Sequence, residues 1–267
     1  MKHIGDICRT IGNRLGISSF AIPTDGYNID EVFDEQQKLD GVVCVAARSG
    51  VGKTNFVLDI ALEKASRTDE KVVIVSCEKS AEQITSELIM MLCGLNTCFV
   101  NTEEKKTSLA QAFGFLSSQS IYIESFEQIE YPTLSDVERL TESTDGIGLV
   151  VIDGLYCLCD EGKPEVAAIN ETRASVKILK NISEKIDAPI IITTYFNRAE
   201  IKRMLSGDLS DNLLIESGVD KLMVLYRSVV GTTISSTTDF LIVNPDLSYK
   251  KKTIFYDTKN RRFHKPL

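Results

Sequence analysis

Residues 46–54 read Ala-Ala-Arg-Ser-Gly-Val-Gly-Lys-Thr, between the apolar run GVVCV and the segment NFVLDIALEKA. A phosphate-binding loop needs a glycine-containing turn whose N–H groups face the anion, a lysine, a hydroxyl for Mg2+ and a helix that opens there. Each part is present: Arg48, Ser49, Gly50, Val51 and Gly52 make the turn, and Lys53, Thr54 and Asn55 open the helix. The first glycine of the general pattern is Ala47, so the start of the loop must accept a methyl group. The expected ligands are ATP and Mg2+. The metal needs an acidic anchor at the carboxyl end of a neighbouring apolar strand. Asp153, closing GLVVID, fills that role beside Thr54, although an Asp that merely opens a turn would sit at the same sheet edge. Hydrolysis also needs a group that orients or deprotonates water. Glu78, after KVVIVSC, is the candidate, on a strand expected beside the phosphate-loop strand. A surface Glu ahead of a helix capped by Ser80 is the plainer reading, and the residues alone leave both open.

These groups are positioned by an alternation of apolar runs and helical patterns that begins near residue 41. GVVCVAA leads to a helix over 53–66, KVVIVS to one over 81–93 and another near 103–117. SIYIES leads to 133–143, GLVVID to 165–186, and APIIITT to short helices near 199–216. DKLMVLYR, TDFLIV and KKKTIFY close the chain, the last two joined by a turn at Asn244-Pro245-Asp246. This order predicts an α/β fold with a mostly parallel sheet, helices on both faces and antiparallel strands at the C-terminal edge. In the helix over 165–186, Ile169, Val176, Leu179, Ile182 and Ile186 share a face from which Lys177, Lys180, Glu184 and Lys185 fall away. Asp145-Gly146-Ile147-Gly148 reads as a turn feeding a strand.

A chain of 267 residues, 43% hydrophobic, can bury one large core. No apolar stretch is long enough to span a bilayer and the N-terminus has no leader pattern, so a soluble, cytoplasmic protein without membrane partners is expected. Seven cysteines without a C-x-x-C pair, and only two histidines, point to reduced thiols. Cys157-x-Cys159 could hold a soft metal; two half-buried thiols is the plainer reading. A net charge of −8 excludes a surface coated in nucleic acid, yet permits a strand held by a few loops. Ile4, Ile7, Ile11 and Leu15 form the stripe of an amphipathic N-terminal helix.

Taken together, these segments resemble the C-terminal motor domain of DnaB-type replicative helicases, a RecA-like P-loop ATPase of helicase superfamily 4. The resemblance covers nearly the whole chain. Residues 21–30, AIPTDGYNID, are similar to the family's opening Pro-Thr-Gly segment, AARSGVGKT to its phosphate loop with the same Ala, and SCEKSAEQI to its S-L-E-M-S-x-E-Q stretch. VVIDGLYCL resembles its Walker B strand, APIIITTYFNR its V-P-V-V-x-L-S-Q-L-N-R strand, and DLSDNLLIESGVDKLMVLYR its D-L-R-E-S-G segment with the strand that ends in Tyr-Arg. A clock-type or recombinase relative of the superfamily fits that last segment less closely.

The resemblance implies that Glu78 is the catalytic base, with Lys53 and Asp153 beside it. It implies a hexameric ring that binds ATP between subunits and threads single-stranded DNA. Primase or a loader would be a further partner, and a phage or mobile element the source. Residues 1–18 would be a linker-type helix that docks on the neighbouring protomer or packs on its own domain, and 19–267 the ATPase domain. The length leaves no room for the family's N-terminal helical domain. Arg198, Lys202 and Arg203, after Asn197, are candidates for DNA phosphate contact or a solvated helix face balanced by Glu200. The basic tail reads first as an edge strand protected by lysines.

The chain departs from the family pattern in three places. Thr194-Tyr195 stands where the family has Ser-Gln, whose Gln senses the γ-phosphate, and a tyrosine cannot reproduce an amide. Ser210 replaces the arginine of D-L-R-E-S. The family's K-x-R-N-G turn reaches into the neighbour's site, a finger worth about 10³ to 10⁵ in rate. Its two basic positions fall here on Val243 and Pro245, followed by Lys250, Lys251 and Lys252, which as flexible point charges replace a guanidinium poorly. Two functions of different class follow: a helicase motor, or a RecA-like ATP-binding regulator or adaptor with little unwinding of its own.

Overall fold

A computed structural model describes residues 1–17, 19–20, 39–96, 102–129, 132–158, 168–209, 218–227, 229–230, 233–234 and 237–264. The chain begins with a two-residue strand, β1 (Lys2–His3), and helix α1 (Ile4–Arg14). Then comes the alternation: β2 (Val42–Ala47), α2 (Lys53–Arg67), β3 (Lys71–Ser76), α3 (Ala81–Cys93), α4 (Glu103–Ser117), β4 (Ile121–Ser125), α5 (Leu134–Glu142) and β5 (Ile147–Asp153). After a 3-10 turn at Leu155–Cys157 follow α6 (Ala168–Ile186), β6 (Ile190–Tyr195), α7 (Arg198–Leu205) and β7 (Lys221–Tyr226). A small ribbon of β8 (Val229–Val230) and β9 (Thr233–Ile234) precedes β10 (Thr237–Val243), β11 (Tyr249–Asp257) and β12 (Arg262–His264).

Helix starts are set by side chains that satisfy the first free N–H groups. Ser80 with Gln83, Thr133 with Asp136 and Asn197 with Glu200 each form a capping box, at α3, α5 and α7. Gly94, left-handed at φ 66°, closes α3.

The sheet runs β1-β4-β3-β5-β6-β2-β7-β10-β11-β12. Strands β4, β3, β5, β6, β2 and β7 are parallel, and β1, β10, β11 and β12 add antiparallel edges. Strand β3 does not lie beside β2, as the sequence reading placed it, because β5 and β6 are inserted between them. Apolar periodicity marks a strand without fixing its neighbours. The parallel direction nonetheless brings the end of β3 to the same edge as the end of β2.

Alternation along each strand divides the core in two. On one face Val43, Val45, Ile74, Val151, Ile191 and Leu225 meet α1 to α4 and Phe263 of β12. On the other Cys44, Val73, Ile152, Ile192 and Val224 meet α5, α6 and α7. In α6 the stripe Val176, Leu179 and Ile182 is buried, whereas Lys177, Glu184 and Lys185 are exposed. Lys180 reaches Asp220 at 2.8 Å. The side chain of Ile169 lies outside the described residues.

Four short strands, β1, β8, β9 and β12, carry too few residues for a periodic signal and escape the sequence reading. β1 pairs with β4, and β12 covers Phe255–Asp257 of β11, so the lysine-bearing strand is not the outermost one there. The stripe of α1 lies on its own domain: Ile4, Ile7 and Ile11 are buried in the first core against α3 and α4, and Leu15 packs against it partly buried. Arg14 adds an exposed ion pair to Glu82 of α3 at 2.6 Å.

Candidate functional site

The site is built at the carboxyl edge of the parallel strands, and strand parity decides which side chains reach it. Asp153 on β5, Thr193 and Tyr195 on β6, and Arg227 after β7 continue the face that packs on α2. Thr194 falls on the opposite face, in line with Ile190 and Ile192.

Between β2 and α2 the chain turns through Arg48–Gly52. Gly50 and Gly52 take φ of 76° and 104°, where a side chain would be strained. At Gly52 a Cβ would also press on Arg227 Nη2 at 3.3 Å and Phe263 Cζ at 3.4 Å. Gly52 is the N-cap of α2, so the helix opens with its N–H groups facing the turn, an arrangement that favours an anion. Ala47 is fully buried, and its carbonyl takes the Phe196 N–H at 3.2 Å and lies 3.4 Å from Lys53 Nζ.

Lys53 is 8% exposed. Desolvation pushes its pKa below the ordinary lysine value, while the negative charges of Asp153 and Glu78 pull it back up.

Thr54 and Asp153 are brought together across the intervening strand β6: the Thr54 hydroxyl donates to Asp153 Oδ2 at 2.8 Å. The other carboxylate oxygen, Oδ1, accepts from the Thr193 hydroxyl at 2.9 Å, which in turn accepts the Gly154 N–H at 2.8 Å. Asp153, 3% exposed, is thus held at both oxygens. Its backbone carbonyl also receives the Cys77 N–H at 3.0 Å, which ties the end of β5 to the residue before Glu78.

Glu78 is exposed on the loop after β3, and its flanks are fixed. The Lys79 N–H donates to Ser76 Oγ at 3.0 Å, and Ser125 Oγ donates to the Lys79 carbonyl at 3.0 Å. Cys77 is buried, with its thiol pushed up to about 12 by desolvation and by the neighbouring Cys157, Asp153 and Glu78; it is no nucleophile. Cys159 lies outside the described residues, and among those described no cluster of three His, Cys, Asp or Glu side chains is arranged to hold a metal.

Two features went unread in the sequence. Thr193 orients Asp153, and Arg227 is tucked behind the loop, donating to the Val51 carbonyl and stacking at 3.9 Å over the Tyr256 ring. The available signal was position: both continue, in the right parity, strands parallel to β2. Behind this layer, buried Asp59 of α2 pairs with Arg262 at 2.8 Å and accepts the Phe263 N–H at 3.0 Å, fixing β12 to the helix. Asn55 is turned away from the loop, 3.5 Å from Glu87 of α3.

Arg198, Lys202 and Arg203 lie on α7 immediately beyond β6, all exposed, while Ile201 and Met204 anchor the helix in the second core. Arg203 pairs with Asp208 at 3.3 Å. Residues 210–217, Ser210 included, lie outside those described. The two finger positions are elsewhere: Val243 is 1% exposed in the second core, and Pro245 is at the tip of the β10–β11 turn. Val243 pairs with Leu222 at the start of β7, so both positions lie at the sheet edge opposite the phosphate loop. There Pro245 borders a cavity of about 670 Å3 lined also by Asp40, Lys180, Asp220 and Lys221. That cavity is remote from the loop and from Asp153.

The family model described as "DnaB-like helicase C terminal domain" matches residues 21–262. The replicative DNA helicase DnaC of Bacillus subtilis (strain 168) is 30% identical over 230 residues, covering 83% of this chain and 50% of that protein. The replicative DNA helicase DnaB of Geobacillus stearothermophilus is 29% identical over 214 residues, 77% and 47% of the two chains. This chain therefore spans about half the length of the curated relatives it matches. Among solved structures, one described as an ATPase domain superposes with a TM-score of 0.71 at 19% identity, covering 99% of each chain. A DnaB-like replicative helicase described with its interactions with primase gives 0.70 at 20% identity, covering 85% of this chain and 57% of that one. The fold is thus that of these two structures, and the match over residues 21–262 settles the family: the chain belongs to the DnaB-like helicase C-terminal domains.

Proposed function

We propose that this chain is an ATP-hydrolysing helicase motor of DnaB type that acts on single-stranded DNA in a homo-oligomeric ring. The observation that carries the reading is the 2.8 Å contact between Thr54 and Asp153, with Lys53 on the same cradle. These are hard oxygen donors at a helix N-terminus, and they fit Mg2+ beside a triphosphate. When bound, Mg2+ would neutralise charge on the phosphate oxygens. Arg48, Ser49, Gly50, Val51 and Gly52 would cradle the phosphates through their backbone, and Lys53 would supply a fixed positive charge. Thr54 and Asp153 would hold the cation, with Thr193 keeping the carboxylate oriented. Glu78, at the open side of the cleft, would orient and deprotonate the attacking water. Tyr195 stands at the position of the γ-phosphate sensor.

Arg198, Lys202 and Arg203 extend from the same edge and would contribute a few cations per subunit to a DNA track, which accommodates a net charge of −8. Helix α1 would act as the rim of this domain rather than as an arm reaching a neighbour, since its apolar stripe is already covered. A hexamer, a phage or mobile-element source and a primase or loader partner follow from the family resemblance. Among the described residues no helix is long and apolar enough to cross a membrane.

One observation favours a second reading, a RecA-like regulator or adaptor that binds ATP and unwinds little: the finger positions are apolar, and Val243 is buried. ATPase activity measured with and without single-stranded DNA across a salt series tests the motor. Stimulation that fades as salt rises supports it, whereas ATP turnover indifferent to DNA, with no strand displacement, favours the regulator.

A further inference from the structure

The side chain that stands in place of the family's amide does more than occupy the position. Tyr195 is the last residue of β6, in register with Ala47 at the end of β2, and is 42% exposed. Its ring lies directly under the phosphate-loop ammonium, with Lys53 Nζ 3.7 Å from the ring centroid. Its hydroxyl donates across the cleft to Glu78 Oε1 at 3.4 Å, a long hydrogen bond, and shares another with the Ser49 side chain. One phenol thus touches the loop, its lysine and the carboxylate opposite.

We infer that Tyr195 is a strap over the phosphate cradle: it holds Lys53 and Glu78, and it must swing off Lys53 before phosphate oxygens can take the ammonium. The inference rests on the phosphate-loop reading above and assigns Tyr195 a positioning role that acts through Lys53 and Glu78. An ammonium on an aromatic face is stabilised by the ring quadrupole, more so when partly desolvated, and Lys53 is buried on its other sides. A phosphate ligand offers Lys53 a stronger partner but must first displace this contact. The strap therefore lowers nucleotide affinity and makes release of Glu78 conditional on an occupied cradle. Burial, and next the charge of Glu78, hold the phenol pKa above its ordinary value.

The chain contains no tryptophan, so Tyr195→Trp introduces a single indole emitter at the strap. With Mg2+ and the non-hydrolysable analogue AMP-PNP, its emission should change saturably, with the same midpoint as binding followed by equilibrium dialysis. The change should be absent in the Lys53→Ala background. A second measurement needs no fluorophore: Tyr195→Ala should bind AMP-PNP about 3- to 30-fold more tightly than the unsubstituted chain, with Tyr195→Phe in between because it keeps the ring over Lys53. A side chain with a merely structural role would weaken binding when removed. AMP-PNP binding without an emission change, or weaker binding by Tyr195→Ala, overturns the strap while leaving the phosphate loop intact. Failure of the unsubstituted chain to bind AMP-PNP overturns the nucleotide-site reading itself and the strap with it.

Discussion

The two edges of the central sheet are built on opposite terms. At the carboxyl edge the parallel strands end in polar side chains held by one another: Asp153 by Thr54 and Thr193, the loop carrying Glu78 by Asp153 and Ser125, and Val51 by Arg227. At the other edge the β10–β11 turn is held, among the described residues, by bonds within itself. Asn244 N–H donates to the Ser248 carbonyl at 2.9 Å, and Ser248 bonds to Asp246. Val243 faces the core, and Pro245 and Leu247 face solvent. The first edge is preorganised for a reaction within one chain. The second carries Val243 and Pro245 at the two positions where the family pattern has basic residues. If the proposed ring forms, its within-chain and between-chain groups therefore sit on separate edges of the sheet, and each can be altered without touching the other.

The largest effect expected at the first edge is in turnover. Glu78→Gln keeps shape and hydrogen bonding but removes the proposed base, so ATP hydrolysis should fall by about 10² to 10⁴. AMP-PNP binding should survive, as measured by dialysis. Normal hydrolysis in this variant would move the base elsewhere and leave Glu78 a surface residue. Next is the support behind the loop. Asp59→Ala removes the buried carboxylate shared by Arg262 and the Phe263 N–H and should cost about 3–5 kcal/mol in denaturant-induced unfolding. A loss below about 1 kcal/mol would mean that β12 is held to α2 by Phe263 alone.

How far the sequence revealed these edges depended on what carried the signal. The strand–turn–helix of the proposed phosphate loop was legible because glycines, lysine and threonine at fixed spacing fall between an apolar strand and an amphipathic helix. The alternation of strands and helices was legible for the same reason, since long periodic segments reflect burial. Strand order was not. β3 carries the same apolar run whether it lies next to β2 or further along the sheet, and only the insertion of β5 and β6 decides it. β1 and β12 are too short to show a period. Thr193 and Arg227 were missed because a hydroxyl or guanidinium at a strand end looks like any strand end until the register shows which face it continues. Val243 was legible as a departure from the family pattern, but its burial depends on pairing with β7.

The second edge is tested by putting the charges back. Val243→Lys should cost at least about 2 kcal/mol, because the ammonium would enter a position that is 1% exposed. Pro245→Arg, at an exposed turn, should stay within about 1 kcal/mol. Since Pro245 is at the edge remote from its own chain's loop, only a neighbour could use the new guanidinium. In a ring, Pro245→Arg should raise ATP turnover about tenfold or more, increasingly with protein concentration. Turnover unchanged at every concentration would weigh against a ring and for the regulator.

The smallest expected effect joins the two sides of the first edge through Glu87. This carboxylate meets Lys79, next to Glu78, at 3.4 Å, Arg261 at 2.8 Å and Asn55, next to Thr54, at 3.5 Å. Desolvation alone would raise its pKa, but the charge of Lys79 and the hydrogen bond and charge of Arg261 outweigh it and bring it below the ordinary glutamate value. Because the folded-state pKa is the lower one, the stabilisation is present above the unfolded value, about 4.3, and is lost as pH falls through the folded value. Lys79 and Arg261 are 30% and 43% exposed, so solvent screening limits the contribution to about 1 kcal/mol. Unfolding curves for the unsubstituted chain and Glu87→Gln should differ by that amount at pH 7 and converge as pH falls through the lowered folded-state value. A difference that persists to pH 3 would mean that Glu87 acts through packing rather than charge, and that the Glu78 loop and α2 are not coupled electrostatically.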